Sequence, residues 1–457
     1  MPHLNGPTLE ALIGAAAGDP DRDRIHLAHD GQRLQPLLGL VPVTAARRLR
    51  LKAALEAGER GMERWLTGED WVPVPLPPGP LRNINRLEDL DPSVFLPPSS
   101  RLLSLHARPL DRHGRPLGVL RLSLTARCNL ACPYCLPEGI EPPGLLNQAQ
   151  RLAVVGAAAA LGVHHLRLTG GEPLLHPGLE ALIAACTPLR AAGLREISLT
   201  SNGALLTAER ALALRAAGLN RLTLSLDGTT GAAVAAMAGL GGGHGGGAAL
   251  AAGEVLLAKV LAAIGHARAA GFDPAAGALK LNAVIQRGRN EDQLLPLAAL
   301  ARERGVELRL IEFMDVGNRN GWRPEAVLSA AEMVKRIGRQ WPLEPLGRPS
   351  HGTASRWRYT DGGGHLAVVA SVSAPFCGDC NRLRVTADGI AYTCLFAAPA
   401  SGLDLRPWLT PSTPAAELRE AIRRHWQDRA DRWSEERLAA WSAGAGGEHV
   451  AMATLGG

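Results

Sequence analysis

The sequence predicts an α/β protein, a partial or full (β/α) barrel of the TIM type followed by a smaller α+β domain. The first observation is an alternation that begins at Val119. Apolar strand candidates at 119–125, 165–169, 195–200, 221–226, 279–285 and 306–312 alternate with amphipathic helical stretches at 148–161, 178–187, 207–217, 254–269 and 291–304. Such alternation argues a parallel sheet with helical crossovers, and six units suit a barrel. The second is a change of pattern after about residue 328, to a helix and then short strands at 355–360, 365–372 and 382–394. The last of these divides into two strands about a hairpin turn at Ala387-Asp388-Gly389. The third is the stretch 91–107, where Pro92, Pro97, Pro98, Ser99 and Ser100 break the periodicity as a linker does. The expected division is a segment at 1–92, a linker at 93–107, the barrel at 108–328 and the α+β domain at 329–457.

Composition bounds the setting. The 457 residues suffice for two or three domains with full cores, and 52 Gly with 33 Pro imply many turns. The net charge of +6 is spread along the chain and aromatics are only 4%, which leaves little for stacking bases along a nucleic acid. A small phosphorylated substrate fits the basic balance better. The amino terminus has no basic, apolar and small-residue succession of the signal-peptide kind, so a cytoplasmic location is expected. No membrane partner is expected either, the Ala-rich stretches near 155–160 and 248–252 reading as too short to span a bilayer. A homo-oligomer is left open.

Six of the seven cysteines fall in two trios, Cys128, Cys132 and Cys135, then Cys377, Cys380 and Cys394. The first follows the first barrel strand at its C-terminal end, where barrel active sites lie. Three thiolates in a C-x-x-x-C-x-x-C loop can hold three corners of a four-iron cubane and leave the fourth iron open to a ligand. Zinc prefers four ligands, and this loop contains no histidine. Thr169-Gly170-Gly171-Glu172-Pro173 closes the second strand, and its glycines permit close backbone approach by a ligand. Gly239 to Gly247, with His244, reads as a flexible surface loop, since no Gly-Lys-Ser/Thr follows to make it a phosphate loop. His164 and His165 read as strand-edge residues and Cys186 as a buried small hydrophobe.

With the cysteine loop and the Gly-Gly-Glu-Pro turn one strand–helix unit apart, the chain resembles the radical S-adenosylmethionine (SAM) enzymes. That resemblance implies a barrel of the radical SAM kind and SAM chelated at the open iron, with reductive cleavage giving a 5′-deoxyadenosyl radical. Around the second trio, Ser-Ala-Pro-Phe-Cys377-Gly-Asp-Cys380-Asn381-Arg382-Leu383-Arg384 and Tyr392-Thr393-Cys394-Leu395-Phe396 resemble the cluster-binding C-terminal domain of the GTP 3′,8-cyclase family. The likeness runs over about 108–457, through Arg121, Ile311-Glu312-Phe313-Met314-Asp315-Val316-Gly317-Asn318 and the terminal Gly456-Gly457.

Membership would imply two 4Fe-4S clusters, one on each trio. It would imply SAM contacts at Tyr134, Gly171, Ser225 and Met314, and GTP contacts at Arg121, Arg167, Thr200, Lys280, Arg309, Arg382 and Arg384. Gly456 and Gly457 would enter the active site for the radical step. The implied reaction abstracts hydrogen from C3′ of GTP and closes that carbon onto C8. Its product, 3′,8-cyclo-7,8-dihydroguanosine 5′-triphosphate, opens molybdenum cofactor biosynthesis, so an electron donor and a downstream enzyme of that pathway are implied partners. The chain departs from the family at Ala126, where many members have Asp, and at His165, where they have a Lys. A radical SAM enzyme with another substrate, and a non-catalytic zinc scaffold, remain as alternatives.

In the first segment, Leu27-Ala28-His29-Asp30-Gly31, Gln35-Pro36-Leu37, Ala57-Gly58-Glu59-Arg60, Asn83-Ile84-Asn85 and Glu88-Asp89-Leu90 resemble the C-terminal half of molybdenum cofactor guanylyltransferase. The resemblance implies a partial Rossmann-like segment. That family's nucleotide loop and metal-binding Asp lie in the unmatched half, so no active transferase is expected. Open sheet edges imply partial order or a partner.

Overall fold

The computed structural model describes residues 6–29, 34–59, 62–75, 108–137, 139–240, 246–316, 320–442 and 449–456. These belong to two units, Met1–Ala107 and Arg108–Gly457. The expected linker at 93–107 and the Asn83 to Leu90 motifs lie outside the described residues.

In the first unit, β1 (Ile25–His29) lies between β2 (Leu34–Leu40), antiparallel to it, and β3 (Trp71–Pro75), parallel to it. β1 is buried on both faces, through Ile25 and Leu27 on one and Ala28 on the other. Ala28 packs with Leu12 of the helix Gly6–Gly18, and Ile25 and Leu27 pack with Leu66. Thr44 caps the helix Ala45–Glu56, its hydroxyl accepting from the Arg47 amide. The Arg47 guanidinium is tied to Glu69 at 2.8 Å and to the Asp23 carbonyl at 2.6 Å.

The second unit is built on one sheet. β4 (Val119–Ser123), β5 (His165–Thr169), β6 (Glu196–Ser201), β7 (Arg221–Ser225), β8 (Leu279–Ile285) and β9 (Glu307–Glu312) run parallel in that order. Alternate residues of each strand are apolar and face the helices. Leu120, Leu166, Ile197, Leu222, Leu281 and Leu308 share a core with Val154, Ile183, Leu214, Val260 and Leu297. The intervening positions Arg121, Arg167, Thr223, Asn282 and Arg309 are polar, and the barrel interior is therefore a chemical surface. Caps punctuate the crossovers. Asn147 and Gln150 form a reciprocal capping box at the helix Gln148–Ala160, and Gly239 ends the helix Gly231–Ala238 in a left-handed turn at φ +69°.

After residue 328 the chain extends this sheet at both edges. β10 (Leu343–Gly347), β11 (Ser355–Tyr359) and β12 (His365–Val369) form an antiparallel run, and β12 joins β9 in parallel. β13 (Arg382–Val385) joins β4 in parallel on the other edge, with β14 (Ile390–Tyr392) and β15 (Leu403–Asp404) antiparallel beyond it. The expected α+β elements thus continue the barrel's sheet, and β13 brings the second trio to the edge strand that leads into the first.

The alanines at 248–252 are part of a longer apolar element than they suggest by themselves. The Ala-rich stretch at 248–252 belongs to the helix Gly246–Ala269, of which Gly247–Ala269 is long and apolar enough to cross a membrane by length and composition. Alanine makes it apolar without making it bulky. Its Val260, Ala263, Ile264 and Ala267 pack in the barrel core, as on a crossover helix. Residues 241–245 of the glycine-rich stretch lie outside the described residues.

Trp426, on the helix Ala415–Gln427, is fully buried and donates its indole N–H to the Arg115 carbonyl at 3.1 Å. Trp426→Ala is expected to destabilise the second unit by about 3–5 kcal/mol, read from the denaturant midpoint of the isolated variant and parent.

Candidate active site: two cysteine trios in adjoining cavities

The first trio is clamped from two sides. On one, the Gly171 and Glu172 amides donate to the Thr125 and Arg127 carbonyls, each at 2.8 Å. A Cβ at Gly171 would lie 2.0 Å from the Arg127 oxygen, and one at Gly170, where φ is +135°, 2.4 Å from the Thr125 oxygen. These glycines admit the protein's own backbone, a tighter demand than the ligand approach the sequence suggests. Glu172 completes the clamp. Its buried carboxylate accepts from the Leu174 amide at 2.9 Å and from the Ser201 hydroxyl and Asn202 amide, each at 2.8 Å. Asn202 in turn donates to the Asn129 side chain at 2.8 Å, beside Cys128. On the other side, the Ala131 amide donates to the Ala238 carbonyl at 3.1 Å, and a Cβ at Gly239 would come within 2.0 Å of the Ala131 oxygen. The start of the glycine-rich stretch therefore supports the cysteine loop.

The three sulfurs, with Tyr134, Gly171, Thr200, Ser225 and Met314, line a cavity of about 1000 Å³. The Tyr134 hydroxyl donates to Asp227 at 2.7 Å, and the Val284 amide reaches the other Asp227 oxygen at 2.7 Å. Burial pushes the Asp227 carboxyl up to about 6. It also pushes the Cys135 thiol up to about 12 and raises those of Cys128 and Cys132, so this loop holds thiolate only when a cation compensates.

The second trio opens on a cavity of about 940 Å³ lined also by Arg121, Arg167, Arg309, Arg382 and Arg384. Register explains the convergence: Arg384 is paired with Arg121 across β13 and β4, and Arg121 with Arg167 across β4 and β5. Burial and neighbouring guanidinium charges pull Arg167 down to about 9 and Arg384 to about 10, and lower Arg121 well below its ordinary value. Burial would raise Cys380, but Arg382 and Arg429 overcome it and hold the thiol at about 6. Arg429 donates to the Cys380 sulfur at 3.2 Å and to its carbonyl at 2.7 Å, and Arg115 to the Cys377 carbonyl at 2.8 Å. Cys394 is pushed up to about 12 by burial and by Asp431.

Asn282, Ile311 and Met314 line both cavities, so the two spaces adjoin. The chain's end reaches them. Arg384 donates to the Leu455 and Gly456 carbonyls at 3.2 and 3.1 Å, and Ser123 to the Thr454 carbonyl at 2.7 Å. Gly456 has φ +66°, and a Cβ there would lie 2.0 Å from Thr169 Cγ2. Gly457 is outside the described residues.

Two expected GTP contacts sit apart from this cavity. Thr200 lines the first cavity and accepts from Arg167 Nε at 2.8 Å. Lys280 lines neither cavity and is paired with Glu307 at 2.7 Å. His165 shares a hydrogen bond with Ser198 at 2.7 Å, and burial lowers its pKa well below the usual value, so it adds no cation at neutral pH. Cys186 is buried, its thiol pushed up to about 11. Asp227, Asn282, Glu307 and Arg429 escaped the sequence reading. Asp227 and Asn282 lie on or just after barrel strands, where the strand-end rule could have found them; for Arg429 no local signal exists.

The cysteines of both trios are free thiols, and among the described residues no three His, Cys, Asp or Glu side chains close around a single metal ion. Three thiols bordering one cavity match the three protein-held corners of a cubane, whereas zinc prefers four ligands.

The Radical SAM superfamily model matches residues 122–301, and the Molybdenum Cofactor Synthesis C model matches 306–435. A GTP 3′,8-cyclase of Synechococcus sp. (strain CC9902) is 57% identical over 348 residues, 76% of this chain and 98% of its own length. That of Synechococcus sp. (strain WH7803) is 59% identical over 357 residues, with the same shares. The chain belongs to the GTP 3′,8-cyclase family. Both family models of this cyclase match within the second unit. Streptococcus suis SuiB, solved bound to S-adenosylmethionine, is 14% identical, with 82% of this chain and 78% of that one covered at a TM-score of 0.48.

Within this GTP 3′,8-cyclase fold the glycine clamps make a specific demand. Gly171→Ala and Gly239→Ala are each expected to displace the first cysteine loop and spare the second trio. Anaerobically reconstituted variants should hold about four irons instead of about eight. Full iron and sulfide content in both variants would show that the loop tolerates the displacement.

Proposed function

We propose that this enzyme converts GTP to 3′,8-cyclo-7,8-dihydroguanosine 5′-triphosphate, the first step of molybdenum cofactor biosynthesis. The observation that carries the reading is the pair of adjoining cavities, one bounded by the first cysteine trio and the other by the second trio and six arginines. When bound on Cys128, Cys132 and Cys135, a 4Fe-4S cluster supplies the electron that cleaves SAM to its 5′-deoxyadenosyl radical. In this reading Tyr134, Gly171, Ser225 and Met314 hold SAM, with Tyr134 fixed in turn by Asp227. Arg121, Arg167, Arg309, Arg382 and Arg384 receive GTP, Thr200 orients Arg167, and Lys280 acts from behind Arg309. A triphosphate suits this set because buried like charges repel until an anion enters, and preorganised cations then bind it without rearrangement. Arg382 and Arg384 lie beside the second trio, where planar donor forks match base edges or phosphate oxygens. The protein's contribution is to hold two reactants in line and exclude water.

The same proposal places the enzyme in the cytoplasm, supplied by an electron donor and passing its product to a downstream enzyme of the pathway. It assigns the cyclase to residues 108–457, as a barrel at 108–328 and a cluster-binding region at 329–457. The guanylyltransferase-like segment at 1–92 contributes no guanylyl transfer.

Anaerobic turnover with GTP, SAM and dithionite tests the reading, with the cyclised nucleotide as the expected product. Cys128→Ala should abolish SAM cleavage, whereas Cys380→Ala should cleave SAM and form no cyclised product. Retained cyclisation in both variants would reject the two-cluster assignment. Gly456→Ala should keep both clusters and SAM binding but reduce product at least tenfold, because the added methyl collides with Thr169. Unchanged single-turnover yield would reduce Gly456 to a frayed end.

A further inference from the structure

Below the arginine-lined cavity, β8 and β9 place one acid among three cations. Lys280 and Glu307 are register partners across the two strands. Glu307, 5% exposed at its side chain, receives Lys280 Nζ at 2.7 Å and Arg309 Nη2 at 3.4 Å on one oxygen. Its other oxygen takes Arg356 Nε at 2.9 Å and Nη2 at 2.7 Å, from β11. One carboxylate facing three cations leaves two positive charges uncompensated, where a pairing made for stability would balance. Arg309 points the excess upward: it lines the cavity, and its Nε is buried without a hydrogen-bond partner among the described residues. A buried donor left open in this way is costly unless a ligand meets it. Neighbouring Arg221 is already matched, being paired with Glu196 at 2.7 Å.

We propose that Glu307 is a positioning residue for the triphosphate of the nucleotide. It fixes Lys280 and Arg309 from below so that their excess charge is presented to the phosphates. Arg356 anchors Glu307 from the far side, linking the strand pair beyond β9 to phosphate recognition. The inference rests on the reading of GTP as substrate and adds the acid that positions its phosphate-binding cations.

The test compares the anaerobic two-cluster enzyme with its Glu307→Gln, Glu307→Asp and Arg356→Gln variants, titrated calorimetrically with GTP and with guanosine in the absence of SAM. Glu307→Gln should raise the Kd of GTP about tenfold and leave that of guanosine unchanged. In turnover KM should rise in step while kcat stays within about twofold, since the loss falls on binding remote from C3′. Glu307→Asp keeps the charge and should recover much of the loss. A Glu307→Gln enzyme that binds GTP as the parent does would overturn the proposal, as would equal weakening for GTP and guanosine, which marks a general structural role. Should Glu307→Gln lose its iron, Arg356→Gln decides: a GTP-specific weakening of about threefold supports the proposal, and none overturns it. A parent enzyme that binds guanosine and GTP equally would refute phosphate recognition here even if cyclisation is observed. A parent that binds neither would remove the functional reading itself.

Discussion

Like charges buried together are the constraint on which the second unit turns. Arg121, Arg167 and Arg384 occupy registered positions on three neighbouring strands and face the barrel interior, where burial and mutual repulsion depress their pKa values. Repulsion between such groups is poorly screened away from water. The sheet can hold them because its stability comes from the opposite face, where leucines of every barrel strand pack against the crossover helices. The interior is thereby free to be a site.

The same separation explains what could be read from the sequence. Period-two alternation marks the six barrel strands to within a residue or two, since each buries one face under a helix. The cysteine trios are legible because thiols at close spacing have few other uses. The extension of the sheet is not legible: β13 pairs with β4 across some 260 residues of sequence, and no local pattern encodes a partner that distant. The helix Gly231–Ala238 was missed for another reason, its run of Gly and Ala giving no amphipathic contrast. Lys280 and Arg309 show the limit within the site. They lie on adjacent strands, offset by two register positions, and a sequence treats them alike, yet the register of Glu307 draws Lys280 into a buried pair and leaves Arg309 on the cavity wall.

Glycine acts here through space more than through flexibility. At Gly170, Gly171 and Gly239 a side chain would strike the backbone of the cysteine loop, and Gly456 abuts Thr169 at the end of the neighbouring strand. A loop that must present three sulfurs to one cavity cannot rely on its own sequence for rigidity. It is held between the end of β5 and the end of the helix Gly231–Ala238, so the geometry of the first trio is borrowed from the barrel. That arrangement also explains why the Gly-Gly-Glu-Pro turn follows the cysteines by one strand–helix unit: adjacent parallel strands bring their C-terminal ends side by side.

Arg384 joins these themes. It lines the cation-rich cavity, lies beside the second trio, and donates to the carbonyls of Leu455 and Gly456. Neutral carbonyls satisfy part of its donor fork without cancelling its charge, so desolvation is eased while the attraction for an anion is kept. An acid in the same place would stabilise the empty cavity and weaken its hold on phosphate. The backbone of Leu455 and Gly456, the latter slender enough to abut Thr169, meets both requirements: its carbonyls bond an arginine of the cavity wall and its glycine lies against a strand end.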